Sequence, residues 1–196
     1  LKKHSVITIA DEVMTGFGKT GKYFASDYLS VKPDVMCMSK ALTAGLVPMA
    51  VTSCTQKVYD AFYSTEISKG LFHGHTYTAN PLACTAALAG IELLQSEEIQ
   101  QNIQRIIAAH QKFDSEIKNH SKVGSTRQTG TIYALDLNVK MERYGNLRDK
   151  LMQHFMENGV FLRPLGHTIY ISTPYVITDE QLQKIYCTIK SALAII

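Results

Sequence analysis

The sequence of 196 residues lacks long apolar runs and lacks a marked excess of charge of either sign. No apolar run approaches the roughly 18 residues that a membrane-spanning helix needs, and the longest candidate, 83–89, is interrupted by Cys84 and Thr85. Lys and Arg number 20 against 17 Asp and Glu, which is too small and too dispersed an excess for a nucleic-acid-binding surface. We therefore expect a protein that binds neither membranes nor nucleic acids.

The cysteines also lack a metal-binding or disulfide pattern. The four of them lie at positions 37, 54, 84 and 187, and none belongs to a CxxC pair. Scattered thiols of this kind are typical of cytosolic proteins, and no signal-peptide order of basic, apolar and small residues follows Leu1. We expect a cytoplasmic protein without a metal, in a sequence that starts inside a longer polypeptide.

Short apolar segments that end in polar residues are characteristic of the first half. The segments 5–10, 35–38 and 49–53 predict buried strands of a parallel α/β sheet. Asn80 followed by Pro81 predicts the start of a helix, because Asn is a favoured N-cap and Pro a favoured first helical residue. This helix continues through an apolar stretch and is expected to be largely buried.

The second half has the pattern of a small α+β domain. Apolar residues recur at helical spacing over 99–117, which predicts an amphipathic helix of about six turns. We predict a first domain over 1–96 and a second over 97–196. The further elements expected in the second are strands at 131–137, 160–163 and 168–173, a helix at 147–157, and a last helix that begins with a capping box of Thr178 and Gln181.

The glycine-rich segment 16–21 contains Gly-Lys-Thr, which is the end of a nucleotide-phosphate loop. The complete motif requires a glycine five positions before Gly18, and Val13 occupies that position. The segment therefore lacks the glycine that would let its backbone amides surround a phosphate. The segment does not support a nucleoside triphosphatase.

Asp11 and Lys40 each lie where a predicted strand ends. The carboxyl ends of strands in an α/β sheet face one ligand crevice, so a carboxylate and an amine could meet there. A lysine amine becomes nucleophilic in a partly desolvated setting, which the residues before Lys40 could provide. Pyridoxal phosphate needs this pair, a lysine for its aldehyde and an acid for its pyridinium nitrogen. Either residue alone is more often a solvated strand end, so these patterns leave both interpretations open.

Four ordered blocks of sequence resemble the class III pyridoxal-phosphate-dependent aminotransferases. The blocks are 10–21, 33–45, 73–77 and 80–83. The resemblance implies an α/β protein of fold type I, in which 1–96 is the C-terminal part of the large parallel-sheet domain and 97–196 is the small α+β domain. It also implies that the chain is the C-terminal half of an enzyme about twice as long.

The resemblance further implies how the cofactor is held. Lys40 matches the lysine that bonds covalently to pyridoxal phosphate and later moves a proton, and Asp11 matches the acid that pairs with the pyridinium nitrogen. Thr76, with His75 beside it, matches the position that reaches the cofactor phosphate from the neighbouring subunit, which implies a homodimer with shared sites. His75 and Lys19 depart from the residues that are common in the family, which affects the expected substrate preference.

Substrate-binding residues are implied in the same way. Gly74 matches a position lining the substrate pocket, and Arg163 matches the arginine that binds a substrate carboxylate. The segments 35–43 and 162–175 favour the branch that transfers an amino group from S-adenosylmethionine to 8-amino-7-oxononanoate in biotin synthesis. The alternatives are another class III aminotransferase, acting on ornithine, 4-aminobutyrate or another ω-amine with 2-oxoglutarate, and a non-catalytic scaffold, which the presence of Asp11 and Lys40 disfavours.

Overall fold

The computed structural model describes residues 2–140, 142 and 145–196. The chain divides into two compact units, the first ending at Ser96 and the second beginning at Glu97. Each unit contains a three-stranded sheet of its own. Across the described residues, no helix is both long enough and apolar enough to cross a membrane.

The sheet of the first unit is mixed. Strand β1 (Ile9–Asp11) pairs in parallel with β2 (Val35–Met38), and β3 (Val51–Cys54) pairs antiparallel with β2. The expectation that all three strands run parallel was therefore wrong for β3. The connection from β2 to β3 contains only a 3₁₀ turn, Lys40–Thr43, and lacks the helix that parallel crossovers use.

The strands and the longer helix of the first unit are less buried than predicted. Ile9 in the edge strand β1 is 67% exposed, and β3 is exposed along its whole length. Helix α1 (Gln56–Asp60) is short, and helix α2 (Pro81–Gln95) begins at the predicted N-cap, with the Asn80 side chain accepting a hydrogen bond from Leu82 N at 2.9 Å. The residues of α2 itself are apolar around the whole helix, but only one face of the helix is covered within this unit. Leu82 is therefore 79% exposed.

The second unit has an antiparallel sheet of β4 (Val123–Thr129), β5 (Ile132–Leu137) and β6 (Thr168–Ser172). Strand β4, which the sequence patterns did not predict, joins β5 through a two-residue turn at Gly130, whose φ is +57°. Its helices are α3 (Glu97–Ile117), α4 (Asn146–Glu157) and α5 (Asp179–Ala192). The predicted capping box of Thr178 and Gln181 is present at the start of α5.

One predicted strand of the second unit is absent from the described structure. Residues 160–163 are not in a sheet ladder, and only Leu165 forms an isolated bridge, with Thr168. Pro164 has no N–H to donate to a ladder, which disfavours a regular strand at this point. The segment nevertheless alternates between buried and exposed side chains, so that Val160 and Leu162 enter the core while Arg163 faces solvent.

In the core of the second unit, the helices pack against one face of the sheet. Helices α3 and α5 each contribute a buried aromatic ring, and Phe113 stacks on Tyr186 with ring centroids 4.3 Å apart. His110, fully buried beside them, lies between the Tyr186 hydroxyl at 2.8 Å and the Thr131 carbonyl at 3.1 Å. The residues of the core with the least exposure include Ile106, Tyr133, Leu135, Leu151, Phe155, Ile169, Ile171, Leu182 and Ile189.

Candidate functional site

Asp11 and Lys40 lie at the same edge of the first sheet. Strands β1 and β2 are parallel, with Asp11 opposite Cys37, and Lys40 is the second residue after the end of β2. A further hydrogen bond, from Glu12 N to Cys37 O at 2.9 Å, continues the pairing past the end of β1. The carboxyl ends of two neighbouring parallel strands therefore place an acid and an amine at the same edge of the sheet.

Lys40 has an unusual backbone conformation. Its φ is +45°, in the left-handed region that residues with a side chain rarely adopt. Ser39 precedes it in extended conformation and donates its hydroxyl to the Met49 carbonyl at 2.6 Å, and the buried Thr43 donates its hydroxyl to Val47 O at 2.6 Å. The turn that carries Lys40 is thus fixed on both sides, and such imposed backbone strain is typical of functional sites.

Helix α2 approaches this turn closely through a glycine. A Cβ placed on Gly90 would lie 3.1 Å from the Leu42 carbonyl oxygen and 3.4 Å from Ala44 N. The absence of a side chain at position 90 lets α2 pack directly on the backbone of the turn. The position of the Lys40 turn therefore depends on Gly90, which the sequence patterns did not identify.

The turn that follows Asp11 is held by the buried carboxylate of Glu12. This carboxylate accepts hydrogen bonds from the backbone N–H groups of Ser26 at 2.7 Å and Ala25 at 3.0 Å, and from the Thr15 hydroxyl. Burial raises its pKa, but the hydrogen bonds outweigh burial and leave the pKa below its usual value. Glu12 is a positioning residue that the sequence analysis missed, although an acidic residue next to a glycine-rich turn is a recognisable signal.

The side chains of Asp11 and Lys40 remain available for a ligand. Asp11 accepts a local hydrogen bond from Val13 N at 3.0 Å, and the described part of the chain provides no hydrogen-bond or ion-pair partner for the Lys40 ammonium. Both are exposed, so the desolvated setting expected for Lys40 is not found within this chain, because Lys40 lies beyond β2 at the rim of a small sheet. Apart from this local hydrogen bond, neither charged group has a hydrogen-bond or ion-pair partner in the described part of the chain. Pyridoxal phosphate requires such an amine and carboxylate.

Gly74, His75 and Thr76 lie in an exposed loop between the 3₁₀ turn Ile67–Lys69 and α2. The loop is ordered by its own contacts, since Tyr77 N donates to His75 Nδ1 at 3.1 Å and His75 N donates to Thr78 Oγ1 at 3.2 Å. Within the described residues no hydrogen bond joins this loop to Asp11 or Lys40, and no cluster of three potential metal ligands is found.

Arg163 belongs to the second unit, whereas the other predicted site residues belong to the first. It lines an open cleft of 540 Å³. The polar or charged residues that share this cleft are Tyr170, Ser172, Thr173, Gln181 and Lys184.

Lys19, in the glycine-rich segment 16–21, is half-buried, and burial lowers the pKa of its ammonium group. Two residues of this segment have positive φ besides Gly21, namely Phe17 at +61° and Gly18 at +93°. Gly16 is required by packing, because a Cβ there would lie 2.9 Å from the Glu12 carbonyl oxygen. The segment is thus a tight turn next to Asp11.

Comparison with known proteins gives the same family along nearly the whole chain. The family model for class III aminotransferases matches residues 1–193. The chain is 42% identical, over 95% of its length, to adenosylmethionine-8-amino-7-oxononanoate aminotransferase of Synechococcus elongatus. It superposes on the crystal structure of the enzyme of that name from Methanocaldococcus jannaschii with a TM-score of 0.89 at 35% identity, over 98% of this chain.

A solved structure with a bound cofactor is also similar. An amine transaminase from an uncultivated Pseudomonas species, in its pyridoxal-phosphate-bound form, matches 98% of this chain with a TM-score of 0.88 at 30% identity. The chain spans only about half the length of these proteins, namely 44% of the Synechococcus protein, 47% of the Methanocaldococcus chain and 45% of the Pseudomonas chain.

Proposed function

Since the chain belongs to the class III aminotransferase family, we propose that it supplies the catalytic lysine and the pyridinium-binding acid of a pyridoxal-phosphate-dependent aminotransferase. The observation that carries this proposal is the placement of Lys40 and Asp11 at adjacent carboxyl ends of the parallel strands β1 and β2. We propose that the first unit is the C-terminal part of the cofactor-binding domain and the second is the small domain.

The chemistry of these two side chains fits their proposed roles. Pyridoxal phosphate, when bound, supplies an electron-accepting ring. The Asp11 carboxylate would accept a hydrogen bond from the ring nitrogen and keep a proton on it, because a negative charge at that point favours the protonated form. The Lys40 amine would accept a proton from the substrate carbon as a general base and deliver it to the cofactor as a general acid. Glu12 and Gly90 hold the turns on which these groups lie.

The exposed loop that carries Gly74, His75 and Thr76 supports a homodimer with shared sites. Large apolar residues of this loop face solvent in the single chain, with Phe72 79% exposed and Tyr77 70% exposed. Clustered exposed apolar side chains are characteristic of interaction surfaces. Thr76 and His75 then contact the cofactor of the partner subunit, and Gly74 leaves space for substrate.

For the substrates we propose S-adenosylmethionine as amino donor and 8-amino-7-oxononanoate as acceptor, in the cytoplasm. Similarity to several curated relatives, each bearing the name of that biotin-pathway enzyme, supports this choice. Arg163 then binds the carboxylate of the acceptor, for which a planar guanidinium with two parallel donors is suited. The exposed guanidinium in an open cleft of the second unit is consistent with that role.

Donor profiling of the full-length protein tests this proposal. We expect 7,8-diaminononanoate to form from 8-amino-7-oxononanoate only when S-adenosylmethionine is present. Lys40→Ala should abolish product formation, while Lys57→Ala, which changes an exposed lysine of α1 in the same unit, should leave it unchanged. Efficient turnover of 4-aminobutyrate or ornithine with 2-oxoglutarate, without turnover of S-adenosylmethionine, would assign the enzyme to another branch of the family.

A further inference from the structure

The cleft of the second unit has a cationic lining. Its walls come from the segment 159–163, from β6 and from the first half of α5. Two of the lining residues are cations, Arg163 and Lys184, and none is an aspartate or glutamate. A cleft with cations and no acidic residue on its walls attracts a small anion.

Arg163 differs from the other described arginines in its pairing. Arg105, Arg127 and Arg148 each contact a carboxylate of this chain, respectively that of Asp179, Asp136 and Asp149. Neither Arg163 nor Lys184 has an ion-pair or hydrogen-bond partner for its charged group among the described residues. Their charges are therefore open to a ligand and are not used to hold the fold together.

The ammonium group of Lys184 lies close to Gly159 at the wall of the cleft. A Cβ built on Gly159 would lie 2.9 Å from Lys184 Nζ, so the ammonium group lies directly over this glycine. Gly159 has a φ of +67° and ends the turn after α4, where a residue without a side chain is favoured. The absence of a side chain at Gly159 therefore leaves room for the Lys184 ammonium group beside it.

The remaining walls of the cleft suit the rest of an amphipathic molecule. Phe161 and Ile185 provide apolar surface. The carboxamide of Gln181 is oriented by the capping box, in which its Oε1 accepts a hydrogen bond from Thr178 N at 3.0 Å. The amide Nε2 is then a further donor for an anion at the start of α5.

We propose that Lys184 is a second cationic contact for the carboxylate of an aliphatic substrate, acting with Arg163 in this cleft. The identity of that substrate rests on the proposed function, but the carboxylate-binding property of the cleft does not. Arg163 provides the planar, two-pronged contact, and Lys184 provides a point charge that increases affinity for the anion. The cleft selects a carboxylate with a short apolar chain over a neutral molecule of the same shape.

Calorimetric titration of the full-length protein with octanoate tests this proposal. Octanoate has a carboxylate and an aliphatic chain and cannot be transaminated. We expect Lys184→Gln to weaken octanoate binding roughly two- to fivefold, because an ion pair of an exposed charge contributes little to affinity, and Arg163→Gln to weaken it further. The neutral analogue octanamide should bind weakly and equally to all variants. Lys190→Gln is the matched control, because Lys190 lies on the same helix but pairs with Glu116 outside the cleft.

The outcomes separate this proposal from the proposed function. Unchanged octanoate affinity in Lys184→Gln, an equal loss in Lys190→Gln, or no octanoate binding by the unmodified protein would each overturn the role of Lys184. Octanoate binding that depends on Lys184, in a protein that does not transaminate 8-amino-7-oxononanoate, would leave the cleft as proposed and contradict only the choice of substrate.

Discussion

At the scale of single residues, the buried carboxylate of Glu12 is the clearest structural support for the site. Its hydrogen bonds to Ser26 N, Ala25 N and Thr15 compensate for its removal from water. Charge-assisted hydrogen bonds of this kind each contribute about 1.5–3 kcal/mol. The neighbouring Asp11 therefore lies on a backbone that is fixed before any ligand binds.

Replacing Glu12 by Gln should lower the free energy of unfolding by about 1–3 kcal/mol, because the amide is a weaker acceptor for the buried N–H groups. The pKa of Glu12 is lowered in the folded state, so its contribution is present above its ordinary pKa of 4.5 and is lost as the pH falls below that value. Urea unfolding of the full-length protein at pH 7 measures the difference. Glu66→Gln, in an exposed pair with Lys69, is the control and should change stability by less than about 1 kcal/mol; equal effects of the two variants would contradict the role of Glu12.

His110 gives the second unit a separate dependence on pH. Burial lowers the pKa of His110 from 6.5 to about 4, and the neutral ring donates from Nε2 to Thr131 O and accepts from the Tyr186 hydroxyl at Nδ1. Unfolding releases a histidine that takes up a proton below about pH 6.5, so the stability from the neutral ring is complete above that pH and is lost as the pH falls from 6.5 towards 4. The expected loss between pH 7 and pH 5 is about 2 kcal/mol.

Urea unfolding at pH 7 and pH 5 measures this loss in the unmodified protein and in His110→Gln, which has no proton to take up. The variant should be less stable at pH 7 but should lose about 2 kcal/mol less between the two pH values. The control is His120→Gln, at an exposed position after α3. If His110→Gln retained the full pH dependence, the assignment to His110 would be wrong.

At the scale of elements, the contact between α2 and the Lys40 turn is the feature that local sequence does not indicate. Gly90→Ala should raise the intrinsic helix propensity of α2 by up to about 1 kcal/mol, yet its Cβ would lie 3.1 Å from the Leu42 carbonyl. We expect the turn to shift and affinity for pyridoxal phosphate to fall several-fold with little change in stability. Absorbance titration of the apoprotein with pyridoxal phosphate checks this, with Glu92→Ala, an exposed position on the same helix, as control; unchanged affinity in Gly90→Ala would show that the turn does not depend on α2.

Elements with a local signal were predictable from the sequence, and elements that depend on distant pairing were not. Asn80 and Thr178 were correctly identified as helix N-caps, because capping is decided within four residues. The antiparallel direction of β3 was missed, because direction depends on the connection and not on the strand's own residues. The strand expected at 160–163 does not form, and the missing N–H of Pro164, which disfavours a ladder next to it, is visible in the sequence.

At the scale of the whole molecule, the first unit leaves several large apolar side chains exposed to solvent. The chain spans about half the length of the curated relatives it matches, and within it large apolar residues of β1, α2 and the loop before α2 face solvent, among them Ile9, Leu82 and Phe72. The sequence patterns predicted a buried strand over 5–10 and a largely buried helix after Asn80, so the exposure of Ile9 and Leu82 differs from that prediction. Four ordered blocks of sequence, 10–21, 33–45, 73–77 and 80–83, were enough to indicate the family, whereas the supporting roles of Glu12 and Gly90 required three-dimensional contacts.

The most direct test of the account is to find which lysine bonds to the cofactor. The full-length protein is incubated with pyridoxal phosphate, reduced with borohydride, digested, and examined by peptide mass spectrometry. We expect one pyridoxyl group, on Lys40, with the half-buried Lys19 and the exposed Lys57 unmodified, and we expect Asp11→Asn to retain the modified site with weaker cofactor affinity. Modification of another lysine, or an unmodified Lys40 in a protein that binds the cofactor, would contradict the account.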